Sequence, residues 1–461
     1  MSQLPPGPKI PRLVDYFQGG VVSSVTRLRC LAAKYGDTFR LRYRGGAMTF
    51  TGDPEAIRTI YSSDPDCFDV YGVDATMPVF GTNSVVVTSG ERHRRDRKLL
   101  VPHFKVGAMR TYGSTIAEVA AAAATRWTVG QVFSMLETAQ AITLDIIIRI
   151  VFGVQGEQRI QRTREAVREL IGSIHPIIII FPFLRHDFGG IGSWARNRRM
   201  VSALNAILAE EIRARRETGG ERQDILSRMM IARFDDGTAM ADAEILDQLR
   251  ALLFAGHETT AAAVAWTFYW VHREPAVLKR VLEEIDGLGP DPQPDAFTSL
   301  PFLEAVCLEA LRLHPPVLDV ARITRKPFEL LGFTIPAGEG IRPSMSILHA
   351  RTDLYPEPDR FQPERFLERK FSPFEYIPFG GGGRRCLGAT FAMYEMKVVL
   401  GTLLRVYRLR LASFDPVADG RLGLTMGPLG GVPMILDGQR AETRPPATSK
   451  SATCIVANVR P

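Results

Sequence analysis

Ten residues late in the chain, Phe379-Gly-Gly-Gly-Gly-Arg-Arg-Cys386-Leu-Gly388, limit its fold and chemistry more than any other stretch. One cysteine follows a loop without side chains and immediately precedes a helical pattern that starts near Ala389. A thiolate at a helix start is stabilised by the positive end of the macrodipole and by unpaired backbone N–H groups, which lower its pKa and can hydrogen-bond its sulfur. Consecutive glycines let a backbone pass close to a flat, bulky partner without Cβ collisions. Such a segment suits an axial cysteine thiolate on haem iron, a ligand that favours O–O cleavage of bound dioxygen. Arg384 is then placed to neutralise a haem propionate. Two other readings fit the residues: a plain loop with Cys386 as a small buried apolar residue, and an anion nest completed by Arg384 and Arg385. The nest is weakened because no strand and no Lys-Ser/Thr pair of a phosphate loop accompany it. The joint spacing, with Phe379 seven positions before the cysteine, Arg384 two before and Gly388 two after, favours the haem reading.

The 461 residues are 45% hydrophobic, 23% charged and 9% aromatic, which excludes disordered, collagenous and repeat-polymer chains. Fifty-seven Lys and Arg against 50 Asp and Glu leave a net charge of +7, too diffuse to demand a nucleic-acid partner. The five cysteines, at 30, 67, 307, 386 and 454, are too scattered for a disulfide framework or a Cys-x-x-Cys metal site. No secretory signal and no run of roughly 20 apolar residues occurs. A soluble, cytoplasmic, monomeric protein without a transmembrane anchor is expected.

Helical periodicity is clearest over 242–270, 302–313 and 387–406. Strand-like pieces lie near Phe39 to Leu41, Val85 to Val87, Phe328 to Leu330 and Ile341, and loops at 286–297 and 181–192. The pattern is a mainly α chain with small β-sheets, an α+β class. One domain over 1–439 is expected, with 440–461 as a flexible tail.

Phe379, Gly382, Arg384, Cys386 and Gly388 carry a resemblance: FGGGGRRCLG is similar to the haem-binding signature of the cytochrome P-450 superfamily. The resemblance spans roughly Pro5 to Leu436 and is of the soluble bacterial type, although the PPGP opening is similar to the segment that follows the anchor of microsomal members. It implies a triangular, helix-rich prism with haem b buried between a long oxygen-groove helix and the helix after Cys386.

Other motifs acquire roles from that resemblance. Glu309 and Arg312, three apart on one helical face, read alone as a solvated ion pair. The resemblance makes them, with Arg365 of Pro363-Glu364-Arg365-Phe366, a buried structural network bracing the loop to Cys386. His93 and Arg97, four apart in GERHRRDRKLL with Ser89 available as a cap, read alone as part of a solvated basic face. By resemblance they contact the haem propionates, as does Arg322, leaving Arg92, Arg94, Arg95 and Lys98 as a basic proximal surface. His257-Glu258 starts like a His-Glu-x-x-His zinc motif, but Ala261 occupies the second histidine position. Ala255-Gly256-His257-Glu258-Thr259 reads either as a helix bend with threonine bonded back one turn, or, by resemblance, as the oxygen groove, with Glu258 and Thr259 catalytic.

The implied enzyme is a monooxygenase that puts one atom of O2 into an apolar fatty acid, terpenoid or polyketide by hydroxylation or epoxidation. No strand-associated Gly-x-Gly-x-x-Gly is present, so electrons are expected from an external ferredoxin or flavodoxin with its reductase. A peroxygenase or isomerase, and a non-catalytic haem sensor, are the alternatives. The pocket is expected from Val70 to Val86, Ile171 to Phe188, Leu252 to Thr259, Val317 to Val320 and Met426 to Leu429, where Asp319 either orients a polar group or is simply solvated.

Overall fold

The computed structural model describes residues 3–440 except 9–24, 44–45, 105, 175–184, 188, 219–221 and 424. The helices that build and brace the site are α1 (Pro54–Ser62), α2 (Val73–Phe80), α3 (Gly90–Leu100) and α4 (Met135–Ile146), then α5 (Asp242–Arg273), α6 (Pro275–Asp286), α7 (Pro301–Leu313) and α8 (Ala389–Val406). The strands are β1 (Thr38–Tyr43), β2 (Gly46–Thr51), β3 (Phe68–Val70), β4 (Val132–Ser134), β5 (Arg322–Thr324) and β6 (Phe328–Leu330), followed by β7 (Phe333–Ile335), β8 (Gly340–Pro343), β9 (Tyr407–Leu411), β10 (Asp419–Leu422), β11 (Thr425–Pro428) and β12 (Pro433–Gln439).

Helix α5 has 32 residues, about 48 Å at 1.5 Å per residue. It is apolar on nearly every side, so no face can be left in water, and Leu249, Leu253, Ala261, Trp266 and Phe268 are buried. Glu244 closes its start by accepting the Ala241 N–H at 2.9 Å, and it stops one residue short of Pro275. Helix α4 packs along it and runs into a π-turn over Ile147–Val151. Turns of that kind recur beside functional sites. Pro301 opens α7, where a missing N–H is harmless, and Glu284 of α6 accepts the next two N–H groups, of Phe302 and Leu303, at 2.9 and 3.0 Å.

Strands β1-β2-β8-β5-β3 form one sheet in which β2 and β8 run parallel and the other neighbours antiparallel. Arg322 is held between Ile341 on one side and Val70 on the other. Strands β4-β12-β9 make a second sheet, and β6-β7 and β10-β11 are hairpins.

All three expected helices are present as α5, α7 and α8, and β1, β6 and β8 stand where strands were expected. Val85 to Val87 is a turn instead. The side chain of Gln248 on α5 accepts the Val85 N–H at 3.0 Å, so a helix, not a neighbouring strand, satisfies that backbone. The expected loop at 286–297 contains the last residue of α6 and the start of a 3-10 turn over Pro294–Ser299. Residues 175–184, which hold most of the apolar run IHPIIIIFPF, and 441–461 of the expected tail lie outside the described residues. Among the described residues no helix is long and apolar enough to cross a membrane.

Three buried imidazoles give a pH dependence. Burial pushes His257 and His272 down to about 4 and His349 to about 3, from an ordinary 6.5. The unfolded chain therefore binds more protons below pH 6.5, and stability falls as pH drops through that window. The loss is at most about 1.4 kcal/mol per pH unit for each imidazole. Scanning calorimetry should show a lower Tm at about pH 5 than at about pH 7; a flat or rising Tm on acidification contradicts this.

Candidate active site

The Cys386 loop is tied by its own backbone: the Cys386 N–H donates to Phe379 O at 2.9 Å and the Arg385 N–H to Gly382 O at 3.1 Å. Phe379 is half-buried against the main core. The Gly388 N–H is bonded to the Cys386 sulfur. A Cβ added to Gly388 would meet only that sulfur, at 4.0 Å. The expectation of a lowered thiol pKa is corrected: burial pushes it up and outweighs the Gly388 N–H and the charges of Arg97 and Arg385. Helix α8 starts three residues beyond the cysteine, and a helix dipole weakens within a turn. A cation bound to the sulfur reverses the balance, because a coordinating thiol is deprotonated outright.

The glycines also have a different reason from the one expected. A Cβ on Gly381 would lie 2.2 Å from the Tyr61 ring, and one on Gly382 2.4 Å from the Tyr61 carbonyl. Gly382 also has φ +63°, which disfavours any side chain. These two are glycine because the loop lies directly on the end of α1. Cys386 itself is surface-accessible. Ala255 is likewise accessible in the middle of the otherwise buried α5.

Around the loop, His93, Arg97, Arg322 and Arg384 converge. Arg97 Nη2 donates to Arg385 O at 2.6 Å, Arg384 Nη2 to Thr88 O, and Arg322 to Ile60 O and Gly381 O at 3.3 Å each. Arg322 Nε has no hydrogen-bond partner among the described residues, and its guanidinium lies over Tyr61 and Phe68. None of the three arginines has a carboxylate within ion-pair distance among the described residues, whereas buried charges are ordinarily paired. Burial and the neighbouring guanidiniums push Arg384 down to about 10 and His93 to about 4. Such a donor set fits a dianion of carboxylate type, next to a thiol that fits a soft metal. Ser89, expected to cap α3, makes no capping bond and meets Arg325 at 3.5 Å.

On α5, the Thr259 hydroxyl donates back to Ala255 O at 2.5 Å, so its oxygen is left as an acceptor. Gly256 turns toward the π-turn after α4, where an added Cβ would meet Ile147 at 3.5 Å, an ordinary contact. His257 is buried against the Thr143 hydroxyl at 2.9 Å, which accounts for that polar residue inside the helix. Glu258 reaches sideways to β11, where Thr425 Oγ1 donates to its Oε2 at 3.3 Å. Among the described residues no group of three or more His, Cys, Asp or Glu side chains could hold a metal ion.

Glu309, Arg312 and Arg365 form a buried network, with Glu309 and Arg312 at 0% and 2% exposure. Arg312 meets both Glu309 oxygens at 2.7 and 2.8 Å, Arg365 Nε joins at 3.1 Å, and Arg312 also donates to the carbonyls of His349, Pro358 and Arg360. His349 carries the connection onward: its Nδ1 bonds Arg312 O at 3.2 Å and its Nε2 accepts the Ile377 N–H at 3.2 Å, two residues before Phe379. Tyr61, Thr143, His349 and Thr425 were not singled out in the sequence, because each meets its partner across a long separation.

The expected basic surface of α3 is corrected, since its charges are compensated. Arg92 and Arg95 meet Glu244 and Asp96, Arg94 meets Asp66 at 2.8 Å, and Lys98 meets Asp235 at 2.7 Å. Asp319 is not simply solvated either: it lies 3.3 Å from Arg342 Nε.

The family described as Cytochrome P450 matches residues 5–430. Cytochrome P450 135B1 of Mycobacterium tuberculosis is 35% identical over 412 residues, covering 87% of this chain and 84% of that one. Cytochrome P450 138 of Mycobacterium bovis is 34% identical over 420 residues, covering 89% and 91%. Among solved structures, a retinoic-acid-bound cyanobacterial CYP120A1 superposes with a TM-score of 0.82 at 24% identity, over 95% of this chain and 100% of that one. The haem domain of cytochrome P450DA superposes at 0.83, also 24% identical, over 95% and 98%.

Proposed function

Because the chain belongs to the cytochrome P450 family of haem monooxygenases, we propose that it inserts one atom of O2 into an apolar organic substrate, by hydroxylation or epoxidation, with electrons from an external partner. The cofactor is haem b, which α5 and the segment around Cys386 would hold between them. The reading rests above all on one juxtaposition. An accessible thiol lies beside three arginines that have no carboxylate partner among the described residues, and the largely apolar α5 carries the polar pair Glu258 and Thr259.

When bound, haem would supply the reductive activation of O2, with a cysteine thiolate as the protein's ligand to it. Cys386 is that ligand, and the Gly388 N–H steadies its charge. His93, Arg97, Arg322 and Arg384 hold the propionates, a directional, charge-assisted contact that fixes orientation. Phe379, Gly382 and Gly388 keep the ligand loop in place, and Ala255 and Gly256 leave room along α5. Thr259, its proton given to Ala255 O, offers its oxygen as an acceptor, and Glu258, held by Thr425, passes protons through ordered water.

The first test is the ferrous carbon-monoxide difference spectrum, where a thiolate-type Soret displacement is expected and its absence refutes the assignment. Thr259→Ala should then leave electron consumption near the wild-type rate while product per electron falls about tenfold; unchanged coupling refutes its role. Thr425→Val removes the hydroxyl that holds Glu258 and should slow proton-dependent turnover by about threefold to tenfold, with a larger solvent isotope effect. Thr425→Ser should restore both, and a normal isotope effect in the valine variant contradicts the assignment.

The proposed partner is a ferredoxin or flavodoxin with its reductase, met by a cytoplasmic monomer. Since α3 is compensated, the exposed Arg385, beside the cysteine and without an ion pair among the described residues, carries the attraction. Arg385→Glu should lower the bimolecular rate of haem reduction about threefold to tenfold at low salt. An unchanged rate rules out this docking point.

A further inference from the structure

Helix α5 is gripped from α4 at the residue immediately before its acid–alcohol pair. Thr143 of α4 and His257 of α5 are both buried, at 1% and 6% exposure. The Thr143 hydroxyl lies 2.9 Å from His257 Nδ1, 3.2 Å from His257 O and 3.3 Å from Gln140 O on its own helix. Its support is firm. Asp145, two residues further along α4, is held by a two-pronged contact from Arg164, whose Nε and Nη2 donate at 2.8 Å each. Gly256 faces Ile147 in the π-turn that continues α4, so two consecutive residues of α5 meet this one support.

The three distances fix the hydrogens. A threonine hydroxyl has one proton, and two of its neighbours here are carbonyl oxygens, which can only accept. The proton goes to them, and the third neighbour must donate, so His257 Nδ1 carries a hydrogen. Burial and the Arg168 charge keep the ring neutral, and its Nε2 therefore carries none. Ring and carbonyl belong to one residue, so a slide of α5 along its axis and a turn about it each break a contact. The turn matters more. At 3.6 residues per turn, Ala255 and Thr259, each two positions from His257, lie about 160° round the helix from it. That face, turned away from α4, is where Ala255 is accessible and Thr259 gives its proton to Ala255 O. Glu258, one position on, is swung about 100° from His257 and reaches Thr425.

We propose that Thr143 is a positioning residue for the monooxygenase reaction: by donating to the His257 carbonyl and accepting from its Nδ1–H, it sets the rotation of α5 that presents Glu258 and Thr259. This rests on the reading of Glu258 and Thr259 as the acid–alcohol pair beside the haem. Thr143 touches neither of them and acts through His257 alone.

The test reads the ring and the helix face, not turnover. In haem-loaded, reduced, carbon-monoxide-bound protein at about pH 7, nitrogen NMR of isotope-labelled histidine should find the His257 hydrogen on Nδ1. Thr143→Val, which keeps the shape and removes the hydroxyl, should move the ring about fivefold toward the Nε2–H form, the weight of one ordinary hydrogen bond. It should also displace or split the infrared stretch of the bound carbon monoxide. In a Thr259→Ala background that displacement should shrink to about half or less, because it passes through the pair. Thr143→Ser should restore both readouts. The proposal is overturned if the wild-type ring is protonated on Nε2, or if the valine variant leaves the ratio or the stretch unchanged. It is equally overturned if serine fails to restore them, or if the displacement is undiminished beside Ala at 259. Should the valine variant not fold, the wild-type ring and the serine variant, which must keep both readouts, decide. The Soret displacement of the same preparation reports separately on the thiolate: a failed Thr143 result with that displacement intact removes only the Thr143 assignment.

Discussion

Arg312→Leu should destabilise the protein by about 3–5 kcal/mol, the cost of removing one partner from a buried ion pair. Leucine roughly matches the volume lost but leaves the Glu309 carboxylate, at 0% exposure, with Arg365 and the Gln362 N–H as its remaining donors. The carbonyls of His349, Pro358 and Arg360 lose their common donor in the same step. Urea denaturation followed by circular dichroism measures the change. A loss below about 1 kcal/mol would mean that the network is no more than the exposed pair it resembles in sequence. Because His349 links the network to Ile377, the surviving folded fraction should also load haem less completely than wild type.

Cys386→Ser is expected to have the opposite signature, with all of its effect on chemistry and little on the fold. The sulfur accepts one hydrogen bond and is otherwise accessible, so exchanging it for a hydroxyl should move stability by about 0.5 kcal/mol or less. The thiolate-type carbon-monoxide spectrum should vanish and monooxygenase turnover fall to background, because a neutral hydroxyl cannot supply the electron density of a thiolate. A serine variant that keeps the wild-type spectrum would remove the basis of the functional reading. Taken together, the two variants separate a residue that holds the loop from the residue the loop presents.

What could be read in the sequence was whatever lies within a few positions along the chain. The 32-residue helix, the proline-started helix of Glu309 and Arg312, and the glycine-cysteine segment each carry their own periodicity or spacing. Contacts closed by distant partners were hidden. Val85 to Val87 has the composition of a strand, but a glutamine 163 positions away takes the first N–H. The four cations of α3 look like a free basic face until Asp66, Asp235 and Glu244 are brought beside them. Likewise, the glycine run gave no hint that its neighbour is Tyr61, about 320 positions earlier.

Tyr61 also decides how freely the cysteine-bearing segment can move. With its ring under Gly381 and its carbonyl under Gly382, the ligand segment is moulded from below, and a two-glycine stretch that would otherwise explore many shapes is left with one. Tyr61→Ala, which takes away the ring and keeps the carbonyl, should free that stretch from one side and leave Cys386 on a looser support.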